Sequence, residues 1–382
     1  MVQIKAVEYF RVKPRWLMVK VTDENGEYGW GEATLEGHDL AVEGCLDEMI
    51  DRIVGMEANE IENIWQTVWR HGFYRGGPVF MSALSGIDIA LWDLKGSVVG
   101  ISKYRSMNYW EEKCETRSKS IAGLEAIAPQ TKARLAQGLK CVKMNATEDM
   151  NWVDSPSKLT ATIERVKAVK ALGLDVGLDF HGRLHKAMAK QLAALLEPHG
   201  PMFIEEPLLC EHPEAIKQLS DRTTIPVAFG ERLYTRWDIK RFLEDASVDI
   251  LQPDIAHAGG ISETKRIAQM AEAYDVAIAP HCPLGPVAFA ASLQIALTSP
   301  NFAILEMSLG MHYNTEAGDD IDLLTYMKDP ATFDITDGYI NAPTKYGLGI
   351  EVDEAKVRSI AQDTKPWQCK VFHGPDGSIR EW

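Results

Sequence analysis

Apolar and polar positions alternate over residues 1–30, first in VQIKAVEYFRV and then in RWLMVKVTDENGEYGWGE, the period of half-buried strands. The DENGE stretch places Asn25-Gly26 at a hairpin turn. Residues 40–72 and 78–100 change to helical spacing, as in the series Leu84, Ile87, Ala90, Leu91 and Leu94. A small antiparallel sheet followed by helices predicts an α+β domain over residues 1–115.

From about residue 119 the texture changes. Short apolar runs recur, each separated from the next by a helical stretch: KSIAG, KCVKMN, DVGLDF, PMFIEE, PVAFGE, DILQPD, VAIAPH and FAILEM. Eight strand-then-helix units in roughly 200 residues predict a closed parallel (β/α)8-type barrel, an α/β fold, over residues 116–325. A doubly wound open sheet is the alternative, but no G-x-G-x-x-G turn opens this stretch. Beyond residue 310 the pattern weakens, and residues 326–382 are expected to pack back on the first domain.

Composition narrows the function. The 382 residues carry 40 Lys+Arg against 55 Asp+Glu, a formal net charge of -15, which disfavours nucleic acid. An anionic substrate is still admitted if the site itself holds a cation. Six cysteines, at 45, 114, 141, 210, 282 and 369, form no C-x-x-C pair and fit reduced thiols. The N-terminus lacks an apolar signal segment, and no apolar run is long enough to span a membrane, so a cytoplasmic location is expected.

Barrel enzymes place their chemistry at the C-terminal ends of the strands. The polar residues ending the runs are Lys143 and Asn145, Asp179 and His181, Glu205, Glu231, Asp254, His281 and Glu306. From Asp179 onward they recur at about one βα unit, which predicts a single ring around the barrel mouth. Three carboxylates converging there, Asp179, Glu205 and Glu231, would repel one another without a cation, and oxygen ligands select Mg2+ over zinc. The plainer alternative is that each acid caps the helix after it. Alternation by two puts His181 on the face of Asp179. His281 has Asp254 one unit earlier on the neighbouring strand, and a carboxylate beside an imidazole makes a general base. Glu306, read as lying away from the metal side, is expected near the substrate carboxylate. In the first domain, Arg15-Trp16 and the glycine-flanked Tyr74 and Arg75 of HGFYRGGP are candidate substrate contacts.

This constellation resembles the mandelate racemase subgroup of the enolase superfamily. The motifs are GLDFHGR, FIEEP, GERLYTR, ILQPDIAHAGGISE, APHCPLGP and LGMHYN, with YGWGE, SGIDIALWDLKG and the terminal EW outside the barrel. The resemblance implies a capping domain over the barrel, a homo-oligomer from dimer to octamer, and Mg2+ on Asp179, Glu205 and Glu231. It also implies His281 as base, Asp254 as its orienting group, His181 as the leaving-group acid, and Glu306 on the substrate carboxylate. Lys143 and Asn145 would line the metal side. The expected reaction is dehydration of a sugar acid such as D-galactonate to the 2-keto-3-deoxy acid through an ene-diolate. Gluconate, arabinonate and L-galactonate are alternatives, and a racemase or epimerase is a further one. Asn145 stands where racemases of the subgroup carry a second, lysine base, which disfavours two-base chemistry. Residues 101–119 lack the Leu-Gly-Gly seen where cap meets barrel, leaving the register of the first barrel strand open.

Overall fold

The structure is a computed structural model that describes residues 2–100, 118–123, 129–145, 147, 150–311, 314 and 321–381. Most of the 101–119 stretch, His312 and Tyr313 of LGMHYN, and Trp382 lie outside the described residues.

Strands β1 (Ile4–Val12), β2 (Trp16–Asp23) and β3 (Tyr28–Glu32) form an antiparallel sheet, with Asn25 and Gly26 in the β2–β3 turn. Asp23 Oδ1 holds that turn by accepting from the amides of Asn25 and Glu27. Helices α1 (Asp39–Ile53), α2 (Ile61–His71) and α3 (Pro78–Val99) follow. The helical pattern over 40–72 is thus two helices. Met56 O accepts from Ile4 N, and Gly55 N donates to Ile4 O, so pairing with the start of β1 draws the chain out of the helix.

Alternate glycines in β3 let it lie directly on α3. A Cβ on Gly31 would sit 1.9 Å from Gly86 O, and one on Gly29 would sit 2.2 Å from Ala90 O. The opposite face of α3 meets the barrel, where Ser85 Oγ accepts from the amides of Gly259 and Gly260.

The barrel strands are β4 (Ser118–Gly123), β5 (Cys141–Asn145), β6 (Asp175–Asp179), β7 (Phe203–Glu205), β8 (Val227–Phe229), β9 (Ile250–Leu251), β10 (Ala277–Ile278) and β11 (Leu305–Met307). Consecutive strands from β4 to β10 pair in parallel, and β11 pairs with β4. Ile278 bridges Phe302, with Ile278 N donating to Asn301 O and Ala303 N donating to Ile278 O, so β10 reaches the approach to β11 and the ring closes. All eight apolar runs are strands, so this is the (β/α)8-type barrel with an antiparallel capping domain.

Outside the ring run α4 (Pro129–Ala136), α5 (Thr160–Lys170), α6 (Lys186–Leu196), α7 (Pro213–Ser220), α8 (Arg236–Glu244), α9 (Gly260–Ala273) and α10 (Pro286–Thr298). Helix α10 is buried along its whole length, which explains its apolar composition. The closing residues divide their contacts. The hairpin β12 (Ile335–Thr336) and β13 (Tyr339–Ile340) adds to β4 in the barrel. Helix α11 (Glu354–Ala361) lies on β1 and β2, with Arg358 on Glu8 and Lys20 on Glu354. Among the described residues no helix is long and apolar enough to cross a membrane.

Candidate active site

The C-terminal strand ends, the cap loops and the last residues of the chain enclose a cavity of about 340 Å³, within the size range of small-molecule sites. Register builds its wall: Asn145, Asp179 and Glu205 are cross-strand neighbours on β5, β6 and β7. Asp179 and Glu231 line the cavity, whereas Glu205 is fully buried beneath it. Lys143 Nζ lies 2.6 Å from Glu205 Oε1 and 2.9 Å from Glu306 Oε1, and Gln252 Nε2 donates to Glu205 Oε2 at 2.7 Å. One ammonium therefore joins Glu306 to the carboxylates it was expected to stand apart from. Burial opposes charge on Lys143, but Glu205, Glu306, Asp179 and Glu231 outweigh it and hold the ammonium well above its ordinary range.

Two imidazoles flank Glu231. His281 Nε2 is 3.2 Å from one carboxylate oxygen and His181 Nε2 is 4.0 Å from the other. Strand alternation does not place His181. It lies beyond the end of β6 with φ 54, a left-handed turn followed by Gly182 at φ 64, and its amide donates to Asp179 Oδ1 at 2.7 Å. His281 Nδ1 faces Asp254 Oδ2 at 2.8 Å; the ionised carboxylate accepts, so Nδ1 carries the proton and Nε2 faces the cavity. Burial disfavours the imidazolium, yet Glu231, Glu306 and Asp254 together raise it to about 10. Burial also pushes the Asp254 carboxyl up, but His257, His281 and the Ala256 amide prevail and hold it below its usual value.

His257 continues this chain of contacts into the cap. Its Nε2 lies 2.9 Å from Thr34 O, and a carbonyl only accepts, so Nε2 carries the hydrogen. Its Nδ1 faces Asp254 Oδ2 at 3.7 Å. The cap backbone thus touches His257, which faces Asp254, which orients His281.

The donor set suits a hard divalent cation. Asp179, Glu205 and Glu231 offer only carboxylate oxygens, and among the described residues Glu231 Oε2 and Asn145 Oδ1 are buried without a hydrogen bond aimed at them. Among the described residues no three His, Cys, Asp or Glu side chains are drawn together as an ion cage. Glu205 is turned to Lys143 and Gln252 instead, and Asp179 to the His181 amide.

Residues 126–356 match the family described as enolase C-terminal domain-like, and residues 9–105 match the mandelate racemase / muconate lactonizing enzyme N-terminal domain. The chain belongs to the enolase superfamily. Within the mandelate racemase subgroup, the chain is 43% identical over 392 aligned residues to a D-galactonate dehydratase of Ralstonia pickettii, with all of both chains covered. It is 40% identical, again over all of both chains, to a D-galactonate dehydratase of Pectobacterium atrosepticum. Among solved structures, an enolase of Agrobacterium radiobacter, described as a candidate galactarate dehydratase bound to Na and L-malate, superposes with a TM-score of 0.89 at 27% identity. That match covers 100% of both chains. A mandelate racemase/muconate lactonizing enzyme of Sulfitobacter sp. gives 0.86 at 26% identity over 98% of this chain and 99% of the other.

Against this superfamily site, the candidate substrate contacts of the cap divide. Arg15 lines the cavity, buried, with Nη1 3.3 Å from Glu36 Oε1. Trp16 does not reach it; the ring is fully buried against Tyr326 and beneath Gly285, where it serves the core. Tyr74, 89% exposed, and Arg75 lie on the loop between α2 and α3 and line no part of the cavity. Reading from strand ends missed Arg183 and Arg232, although both lie inside motifs, two residues past His181 and one past Glu231. Glu36, His257, Cys369 and Glu381 were missed as well.

Proposed function

We propose that this protein removes water from a sugar acid, with D-galactonate the leading substrate, giving the 2-keto-3-deoxy acid. The observation that carries the reading is the pair of imidazoles on either side of Glu231, one of them backed by Asp254. The full-length D-galactonate dehydratase relatives support the substrate.

The proton beside a carboxylate is very weakly acidic, because its removal piles charge onto a group already anionic. Asp179, Glu205 and Glu231 would hold Mg2+, which would supply positive charge against this build-up. Lys143, held as an ammonium, adds fixed charge on the same side. Neutral His281 takes the C2 proton on Nε2 while Asp254 keeps Nδ1–H aligned. His181 gives a proton to the 3-hydroxyl as it departs as water, and the enol tautomerises to the keto acid. Glu231 is the first of the charges that raise His281, so a cation on Glu231 would weaken that pull. Glu306, bound to Lys143 and to the Cys282 amide, is placed to meet the substrate carboxylate region. Asn145 offers no second base, which argues against racemisation. The enzyme is read as cytoplasmic, in keeping with the free thiols among the described cysteines, and as a homo-oligomer from its family resemblance.

The test is a screen of sugar acids with Mg2+, trapping any 2-keto-3-deoxy product with semicarbazide. Turnover of D-galactonate is expected, and His281→Asn is expected to lower kcat by at least about 100-fold. Unchanged turnover in that variant would remove His281 from the mechanism.

A further inference from the structure

Among the described residues three arginines line the cavity, and two of them have carboxylate partners. Arg15 pairs with Glu36 and Arg232 with Glu206. Arg183 forms no salt bridge among the described residues; its guanidinium carbon lies 5.9 Å from the centroid of the Phe372 ring. That ring belongs to the last stretch of the chain, where Arg380 N donates to Phe372 O at 2.9 Å and Gly374 N donates to Ser378 O at 2.8 Å, closing a small hairpin. The hairpin is fastened to the barrel, with Arg380 Nη1 donating to Met150 O beyond β5. It is flanked by Cys369 and Glu381, both of which line the cavity. Cys369 fits there because Gly37 has no side chain; a Cβ on Gly37 would lie 2.7 Å from Sγ.

We propose that Arg183 and Glu381 form the subsite for the far hydroxyl groups of the substrate, which makes the C-terminal hairpin a specificity-determining wall of the site. The proposal rests on the sugar-acid reading above. His281, His181 and Lys143 account for the carboxylate and the next two carbons. A hexonate carries three more hydroxyls, each able to donate and to accept. Arg183 only donates and an ionised Glu381 only accepts, so together they match both halves of a hydroxyl group. Arg183 stands two residues past His181, so its subsite adjoins the leaving-group acid. The pair adds one positive and one negative charge, as suits the uncharged end of an anionic chain.

The experiment compares a six-carbon sugar acid with a four-carbon acid of matched C2 and C3 configuration, using the full chain with Mg2+. Arg183→Met and Glu381→Gln are expected to raise KM for the six-carbon acid about tenfold or more, with kcat changed much less. Both constants for the four-carbon acid should hold. Peptide-mapped alkylation of Cys369 by iodoacetamide supplies a second readout: the six-carbon acid should slow it in the parent, and Glu381→Gln should weaken that protection. Equal losses for both acids, or unprotected Cys369 at saturating substrate, would overturn the proposal. If six-carbon acids protect Cys369 and none of the screened sugar acids is turned over, the dehydratase reading fails while the subsite stands.

Discussion

Lys143 is buried with Glu205 at 2.6 Å and Glu306 at 2.9 Å, and Glu205 has no exposure of its own. Replacing Lys143 with methionine would leave two carboxylates buried beside each other. Breaking such a pair from one side typically costs about 3–5 kcal/mol. Lys143→Met is therefore expected to lower the urea midpoint sharply in metal-free protein; an unchanged midpoint would mean that the ammonium does not bridge the two acids. The sequence exposed this group because a buried strand that ends on a polar residue advertises that residue. The same rule picks out Asp179, Glu205, Glu231, Asp254, His281 and Glu306, which the fold gathers at one end of the barrel. It found His181 for a mistaken reason, since a left-handed turn aims that ring rather than strand alternation. The cap contacts were read from loop composition instead, and there Trp16 is packed in the core while Tyr74 and Arg75 lie on a loop outside the cavity.

Elements meet at Glu32, the last residue of β3. Its carboxylate accepts from Gly285 N at 2.8 Å and Ala288 N at 2.9 Å, so a cap strand closes the N-terminus of α10 just after the His281 loop. Burial raises the Glu32 carboxyl to about 7, partly offset by those two amides and by Thr34. Between about 4.5 and 7 the folded chain keeps a proton that the unfolded chain has released. The stability this supplies is full below that window and is lost as pH rises through it, by on the order of 3 kcal/mol. Urea unfolding of Glu32→Gln across about pH 5 to 7.5 should show a flatter decline than the parent; identical slopes would mean that Glu32 is ionised throughout. At this scale the strands were plain in the apolar runs, because parallel barrel strands are buried on both faces. The break between α1 and α2 was hidden, because it depends on pairing with Ile4, some fifty residues earlier in the chain.

For the whole molecule, the net charge is -15, and at the barrel mouth four carboxylates face the Lys143 ammonium. A cation binding there favours the folded state by mass action, by about 2.7 kcal/mol at a hundredfold excess over Kd. Millimolar Mg2+ is expected to raise Tm by several degrees over protein in chelator, read by differential scanning fluorimetry. A Tm indifferent to Mg2+ would remove the cation from the site. The contribution of the C-terminal residues to the cavity was invisible beforehand, since Cys369 and Glu381 come from a stretch with no periodicity and arrive by long-range folding.

The contact from Thr34 O through His257 and Asp254 to His281 limits how this architecture could be recombined. Cap loops are natural places to graft a new substrate preference, and Arg15 and Glu36 sit there. Yet Thr34, two residues before Glu36, also contacts His257, which stands beside the Asp254 that orients the base. A transplanted cap that shifted Thr34 by an ångström would loosen His257 and, through it, the imidazole that does the chemistry. Chimeras that keep residues 32–34 and exchange only the loop from Leu35 to His38 should retain turnover, while wholesale cap exchange should yield folded but sluggish hybrids.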